Sequence, residues 1–199
     1  MEFSDAVRRR KMVRNFEQRP VPQAVLHRLL DTARRAPSAG FSQGFDFLVL
    51  AGPEQTGRYW DITLPEPRRA SFGLPGLLHA PVLVLPLTDK QAYLDRYSEP
   101  DKAAAGLQRE EAWPVRYWDV DTAFATMLLL LAAVDEDLGA LFFGIFSEEE
   151  RLLAEFGVPA AHHPIGTVAI GYAAPDQPPS SATRRPRRPL SEMVHFGQW

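Results

Sequence analysis

The chain contains no cysteine. Disulfides, thiolate nucleophiles and thiolate metal sites are therefore excluded, and cysteine usage gives no sign of an oxidising compartment. A long hydrophobic run is also missing. The longest, Met127 to Val134, falls far short of a membrane span. The basic start leads into polar residues and Pro20 rather than an apolar stretch, so no secretory signal is legible. The expectation is a soluble cytoplasmic protein with no membrane partner. Gly-x-Gly-x-x-Gly, Walker A and Gly-x-Ser-x-Gly sequences are absent. The histidines (27, 79, 162, 163 and 195) match no common helical zinc spacing, so no metal site is expected. No acid, base or nucleophile constellation stands out. If the chain is an enzyme, a cofactor carries its reaction.

What is present is an ordinary globular composition, with 45% hydrophobic and 24% charged residues over 199 positions. That length suits one domain with a sizeable core. The net charge of −3 gives no global polyanion-binding character, and no nucleic-acid partner is expected. Charge distribution says more than the sum. Arg8, Arg9, Arg10, Lys11 and Arg14 cluster near the start, and Arg184, Arg185, Arg187 and Arg188 near the end. Brought together, such arginines would hold a phosphate through charge-assisted hydrogen bonds.

Pattern and punctuation set out the elements. A short helix is expected from Phe3 to Lys11 with Ser4 as N-cap, then an extended link through Pro20 and Pro22. A second helix runs from about Pro22 to Ala36, with Val25, Leu26, Leu29, Leu30 and Ala33 on one face. Strands follow at Phe45 to Ala51 and Pro81 to Leu87, the latter apolar enough to be buried on both faces. Residues 54–76 read as irregular, with a short helix near Thr56 to Trp60. Residues 88–117 read as a mobile excursion, a lid or partner contact. A third helix from Val120 to Glu136 is apolar around most of its circumference, as a core or interface helix would be. Asp119 and Asp121 at its start read as complements to the helix dipole. A strand from Ala140 to Phe146, a Ser147–Glu150 capping box opening a fourth helix, and a strand from Gly166 to Tyr172 complete the core. His162 and His163 read as solvated loop. The tail from Pro175 reads as an extended arm that docks on something, such as a second subunit.

The helix-to-strand corner at Pro37 to Gly44 is the centre of this plan. Ser38 and Gln43 stand there beside Gly40 and Gly44, whose small size lets main-chain groups approach a ligand. The corner is either an ordinary loop with a Ser-type turn or a binder of the polar edge of a flat ligand.

Arg10-Lys11-Met12-Val13-Arg14-Asn15-Phe16 resembles the Arg-Arg-Ser-x-Arg-x-Phe opening of the FMN-dependent nitroreductase family. Ala36-Pro37-Ser38-Ala39-Gly40-Phe41-Ser42-Gln43 resembles its Ala-Pro-Ser-x-x-Asn-x-Gln block. Ala132 to Phe146, Phe156-Gly157-Val158-Pro159, Pro164, Gly171-Tyr172, Arg185 to Leu190 and Trp199 follow its later blocks in order. The resemblance implies an α+β fold, a mixed and mainly antiparallel sheet between helices, and an intertwined homodimer with FMN at the interface. It implies Arg10, Lys11, Arg185 and Arg187 at the phosphate or ribityl chain, with Met12 where the family has Ser. It implies Arg14 at the pyrimidine edge, Pro37, Ser38 and Gln43 beside the flavin, and the N–H groups of Gly144 and Ile145 towards N5. Phe41 stands where Asn is usual, and Gly44-Phe45 where Pro-Trp is usual. The implied activity is ping-pong hydride transfer from NAD(P)H through FMN to a flat, electron-poor acceptor such as a nitroaromatic or quinone. The alternatives are FMN binding without turnover, a deazaflavin-linked enzyme, or a flavin-fragmenting one. Phe41, Trp113 and Tyr117 are expected along the substrate, or else in packing.

Overall fold

The computed structural model describes residues 1–145, 147–180 and 184–199. Its centre is β2 (Val82–Asp89), buried along almost its whole length. β1 (Phe45–Ala51) pairs antiparallel with β2 in the register Val49 to Val84, and β5 (Thr167–Gly171) pairs with the other side, Leu83 facing Ala169. β3 (Gly139–Phe143) adds antiparallel to β5, giving the order β1-β2-β5-β3. A short β4 (His162–Pro164) pairs with the end of β2.

Alternation along β2 divides its side chains between two cores. Leu83, Leu85 and Leu87 meet Tyr59, Trp60 and Leu152 from α3 (Pro53–Thr63) and α6 (Glu149–Glu155). Val82 and Val84 meet Leu26, Leu29, Leu129 and Ala133 from α2 (Gln23–Ala33) and α5 (Tyr117–Asp135). The layers are thus helix, sheet, helix, as the α+β expectation required.

Several elements differ from the sequence reading. α1 (Phe3–Arg9) ends two residues early, and Ser4 does not cap it; its hydroxyl accepts from Arg8 instead. α2 unwinds after Ala33 because Pro37 disfavours helical geometry just before it. α3 is longer than expected, since Pro53 occupies the first helical position, where its missing N–H costs nothing. Ser147 is not the cap of α6. Its hydroxyl donates to the Thr63 carbonyl (2.7 Å), satisfying the open end of α3, and Glu148 occupies the cap with φ of 57°. His162 and His163 lie in β4 rather than a loop, with His162 Nε2 3.0 Å from Asp46. Phe146, the expected end of β3, lies outside the described residues.

α5 is long and apolar enough to cross a membrane by length and composition, and half of that stretch is buried inside the fold. It lies along α2 and the sheet, while Tyr117, Phe124 and Met127 form an exposed apolar stripe on the opposite side. The helix is therefore not buried all round.

The excursion is packed rather than open. Asp89 caps α4 (Lys90–Arg96) by accepting from the N–H groups of Gln91 and Ala92. Tyr93, Trp113 and Trp118 then close into a small aromatic core of edge-to-face pairs.

Candidate functional site

The segment Met12–Phe16 extends the β3 edge of the sheet. Met12 bridges Ala140 in parallel, and the Val13 N–H donates to the Ala140 carbonyl at 3.0 Å. Gly139 is required there, because a Cβ would come within 2.7 Å of Val13. The Phe16 N–H donates to Gly76, and the Glu17 N–H to Tyr172. Gln177 closes the other side. Its Oε1 accepts from the Arg14 and Asn15 N–H groups (2.9 and 3.2 Å), and its Nε2 donates to the Asn15 and Ala174 carbonyls (2.6 and 2.8 Å).

Arg14 is thereby fixed by its backbone while its side chain stays available. Nη1 donates to the Met12 carbonyl at 3.1 Å, and no carboxylate pairs with the guanidinium among the described residues. Arg14 lines a cavity of about 280 Å³ with Trp60, Phe72, Phe143 and Gly144. Ile145 follows Gly144 and packs on the same core. Met12, across Phe142, lines a neighbouring cavity of about 600 Å³ with Met127, His163 and Ile165. Arg10, Lys11, Arg185 and Arg187 also lack a carboxylate partner among the described residues. Their neighbours Arg8, Arg9 and Arg188 are paired with Asp5, Asp137 and Glu192.

The Pro37–Gly44 corner forms a second group. Gly40, Phe41 and Gln43 have φ of 62°, 58° and 52°, with right-handed Ser42 between the last two, and this geometry is costly for the two non-glycine residues. The Ser38 hydroxyl accepts from the Gln43 N–H (2.9 Å), and the Ala39 N–H donates to Asp121 Oδ2 (2.8 Å). Arg96 Nε donates to the Gly40 carbonyl at 2.9 Å, and a Cβ at Gly40 would come within 2.8 Å of the Tyr97 ring. Phe41 projects outward, 72% exposed. Pro37 and the Gln43 side chain are exposed beside it.

The two groups are not brought together within one chain. The corner leads into β1, and the Arg14 cavity borders β3. These strands are three steps apart in the sheet order, or about 14 Å at the usual strand spacing. Arg185 and Arg187 stand exposed on the tail, joined to neither group. Among the expected substrate residues, Trp113 is instead part of the aromatic core, its indole N–H donating to the Leu107 carbonyl at 2.9 Å. Tyr117 stands exposed beside it, and Phe41 is exposed at the corner.

Asp121 and Gln177 were missed by sequence reasoning. Asp121 is not a surface complement to the helix dipole: it is buried, and its Oδ2 also accepts from the Tyr93 hydroxyl at 2.8 Å. Burial, reinforced by this carboxylate, pushes the Tyr93 hydroxyl pKa up, so it stays a donor. The signal was present, since Asp121 shares a helix face with Trp118, Ala125 and Leu129. Gln177 sits in a proline-rich stretch with no pattern to mark it.

The nitroreductase family model matches residues 7–172. A curated relative, the "NADH dehydrogenase" of Thermus thermophilus, is 28% identical over an alignment 213 positions long that covers 98% of this chain and 95% of that one. A nitroreductase family protein from Clostridium difficile 630 superposes with a TM-score of 0.71 over the full length of both chains, at 23% identity. A structure from Exiguobacterium sibiricum, provisionally named a nitroreductase and solved in complex with FMN, gives a TM-score of 0.73 at 18% identity, covering 98% of this chain and 97% of the other. The family model spans both the Arg14 segment and the Ser38–Gln43 corner, and the chain belongs to the nitroreductase family.

Proposed function

We propose that this protein is an FMN-dependent oxidoreductase that takes hydride from NAD(P)H and passes it to a flat, electron-poor acceptor such as a nitroaromatic or quinone. The observation that carries the reading is Arg14: a guanidinium without an anionic partner among the described residues, its backbone held by Gln177, lining an aromatic-walled cavity with Gly144. The donor set fits the cofactor. Arg10, Lys11, Arg185 and Arg187 would hold the phosphate, as cations with no carboxylate partner among the described residues can. Arg14 would face the pyrimidine edge, where a positive charge favours the reduced, anionic form of the ring. Ser38 and Gln43 would meet its polar edge, with Pro37 beside them and Met12 alongside the Arg14 segment. The N–H groups of Gly144 and Ile145 would lie towards N5. FMN, when bound, supplies two-electron hydride chemistry. The chain binds and orients both substrates in turn at one site, and its apolar walls exclude water.

The separation of the two groups supports a homodimer. A twofold partner would lay its own Ser38–Gln43 corner over the Arg14 cavity, which one chain leaves half built. The exposed stripe on α5 and the exposed tail residues Leu190, Phe196 and Trp199 are the apolar surface such a pairing would cover. In this reading residues 1–199 form one domain whose arm, from about residue 175, reaches the partner subunit, and the protein works in the cytoplasm.

The test is the visible spectrum of the purified protein, followed anaerobically on adding NADH or NADPH. Flavin bands that bleach support the reductase and identify the donor. Bands that persist with both donors overturn the nicotinamide step and leave a flavin binder or a deazaflavin-linked enzyme. A colourless protein that takes up no added FMN overturns the flavin reading itself.

A further inference from the structure

We propose that Asp121 is a positioning residue for the flavin: a buried carboxylate that holds the Ser38–Gln43 corner in its binding conformation. The inference rests on the reading that Ser38 and Gln43 meet FMN.

A carboxylate inside a protein needs hydrogen bonds or a cation. Asp121 is 3% exposed and has no cationic partner among the described residues. The nearest cation on its own helix end, Arg116, is engaged with Asp119 at 3.0 Å. Asp121 instead receives two donors at one oxygen, the Ala39 N–H and the Tyr93 hydroxyl, both at 2.8 Å. The Tyr93 donor is out of reach of water, since Tyr93 is fully buried, and the Ala39 N–H is partly buried. The bracket therefore ties three elements together: α5 through Asp121, α4 through Tyr93, and the corner through Ala39.

Ala39 is the residue between Ser38 and the first of these left-handed positions, Gly40. Phe41 and Gln43 hold positive φ without being glycine, and such residues persist only where their surroundings over-determine them. Here the surroundings are Asp121 on the Ala39 N–H, Arg96 on the Gly40 carbonyl, and the Tyr97 ring against Gly40. Arg96 is itself clamped by Asp101 through two bonds of 2.7 Å. Asp121 is the one member of this set that comes from α5, the helix whose far side carries the exposed apolar stripe. Fixing the corner before FMN arrives removes the cost of ordering it on binding. The packed excursion of residues 88–117 thus acts as a brace for the corner rather than a lid.

The experiment uses the full-length protein, stripped of flavin, in wild-type form and as Asp121→Ala, Asp121→Asn and Tyr93→Phe. Three quantities are measured below the melting temperature: FMN affinity by fluorescence titration, the circular dichroism of the bound flavin, and amide exchange across residues 37–43 without flavin. Asp121→Ala is expected to weaken FMN about ten- to hundredfold, since it removes a charged acceptor from a buried donor. It should also alter the flavin dichroism and accelerate exchange at the corner. Asp121→Asn keeps an oxygen for both donors and should recover most of the affinity. Tyr93→Phe keeps the Ala39 bond and should fall between. If Asp121→Ala does not fold, the same ordering is read from wild type, Tyr93→Phe and Asp121→Asn. A wild-type protein that binds no FMN overturns the flavin reading, and the inference with it. Normal wild-type binding, with affinity, dichroism and corner exchange unchanged in the folded variants, overturns the inference alone.

Discussion

Trp60 and Phe143 stack with their ring centroids 5.9 Å apart and their planes 9° from parallel. One ring comes from α3 and the other from the end of β3, and Tyr59 meets Trp60 edge-on at 4.9 Å. Together they form the apolar wall behind Arg14. The Trp60 indole N–H is buried there with no hydrogen-bond partner among the described residues. An unpaired buried donor costs about 1–3 kcal/mol. Trp60→Phe keeps a ring in the stack and removes that donor, so its expected effect on stability is within about 1 kcal/mol, whereas Trp60→Ala should lose about 3–5 kcal/mol. Urea unfolding of the two variants checks this. Equal losses would mean that the indole N–H is satisfied.

Gln177 holds the backbone that carries Arg14. Its amide makes four hydrogen bonds, two accepted and two donated; three of them reach across more than 160 residues of sequence to Arg14 and Asn15, and the fourth goes to the nearby Ala174 carbonyl. Gln177→Ala frees both N–H groups and should destabilise the fold by about 1–3 kcal/mol. On the proposed reading it should also weaken FMN by tenfold or more, since Arg14 is no longer pre-positioned. Gln177→Glu is expected to be at least as harmful. It keeps the two accepted bonds but sets a carboxylate oxygen against the Asn15 and Ala174 carbonyls. Thermal melts and FMN titration of the two variants decide it, and a harmless Gln177→Glu would rule out the donated pair as the important one.

Local chemistry explains which features were legible in the sequence. β1 has the bounds its apolar run gives between Gly44 and Gly52, and the continuous run of β2 marked it as the strand buried on both faces. The Arg10–Phe16 and Pro37–Gln43 blocks were legible because their residue types are ordered along the chain. What stayed hidden depends on contacts distant in sequence. Ser147 bears the pattern of a cap, but α3 ends close enough to take its hydroxyl. Residues 88–117 look irregular because Tyr93, Trp113 and Trp118 are spaced by turns, and only folding gathers them. Aromatic character alone left Trp113 open between a substrate wall and packing, and in this chain its ring packs against Tyr97 in the aromatic core. The separation of corner and cavity follows from strand order, which no local pattern encodes.

The proposed division of labour among the arginines can be separated with riboflavin, which has the ring of FMN but no phosphate. Arg10→Ala and Arg185→Ala should each weaken FMN by about tenfold or more, the worth of a hydrogen bond to a charged group. Riboflavin affinity should not change in either. Arg14→Ala should weaken both ligands alike, since its partner is the ring. Arg14→Lys should restore only part of the loss, because a lysine lacks the planar, forked donor. If Arg14→Ala spares riboflavin, the guanidinium belongs to the phosphate instead.

Tyr59 makes the alkaline limit of stability predictable in sign. Its hydroxyl shares a 2.9 Å hydrogen bond with Thr167 inside the core, and burial pushes its pKa up to about 12. Folding therefore favours the neutral phenol. Below the unfolded value near 10 that preference has no pH dependence. Between there and about 12 the unfolded chain releases a proton that the folded one keeps, so stability falls by about 1.4 kcal/mol per pH unit for this group. Tyr93 adds to the fall in the same direction, because burial and Asp121 also raise its pKa. Tyr59→Phe loses the bond to Thr167, so it should be less stable than wild type at pH 7 by about 1 kcal/mol. It also removes one titrating group, so its stability should decline less steeply between pH 10 and 12 and overtake wild type within that window. Urea melts at pH 7, 10 and 11.5 test both signs. Parallel declines in the two proteins would show that the Tyr59 phenol ionises in the folded state as readily as in the unfolded one.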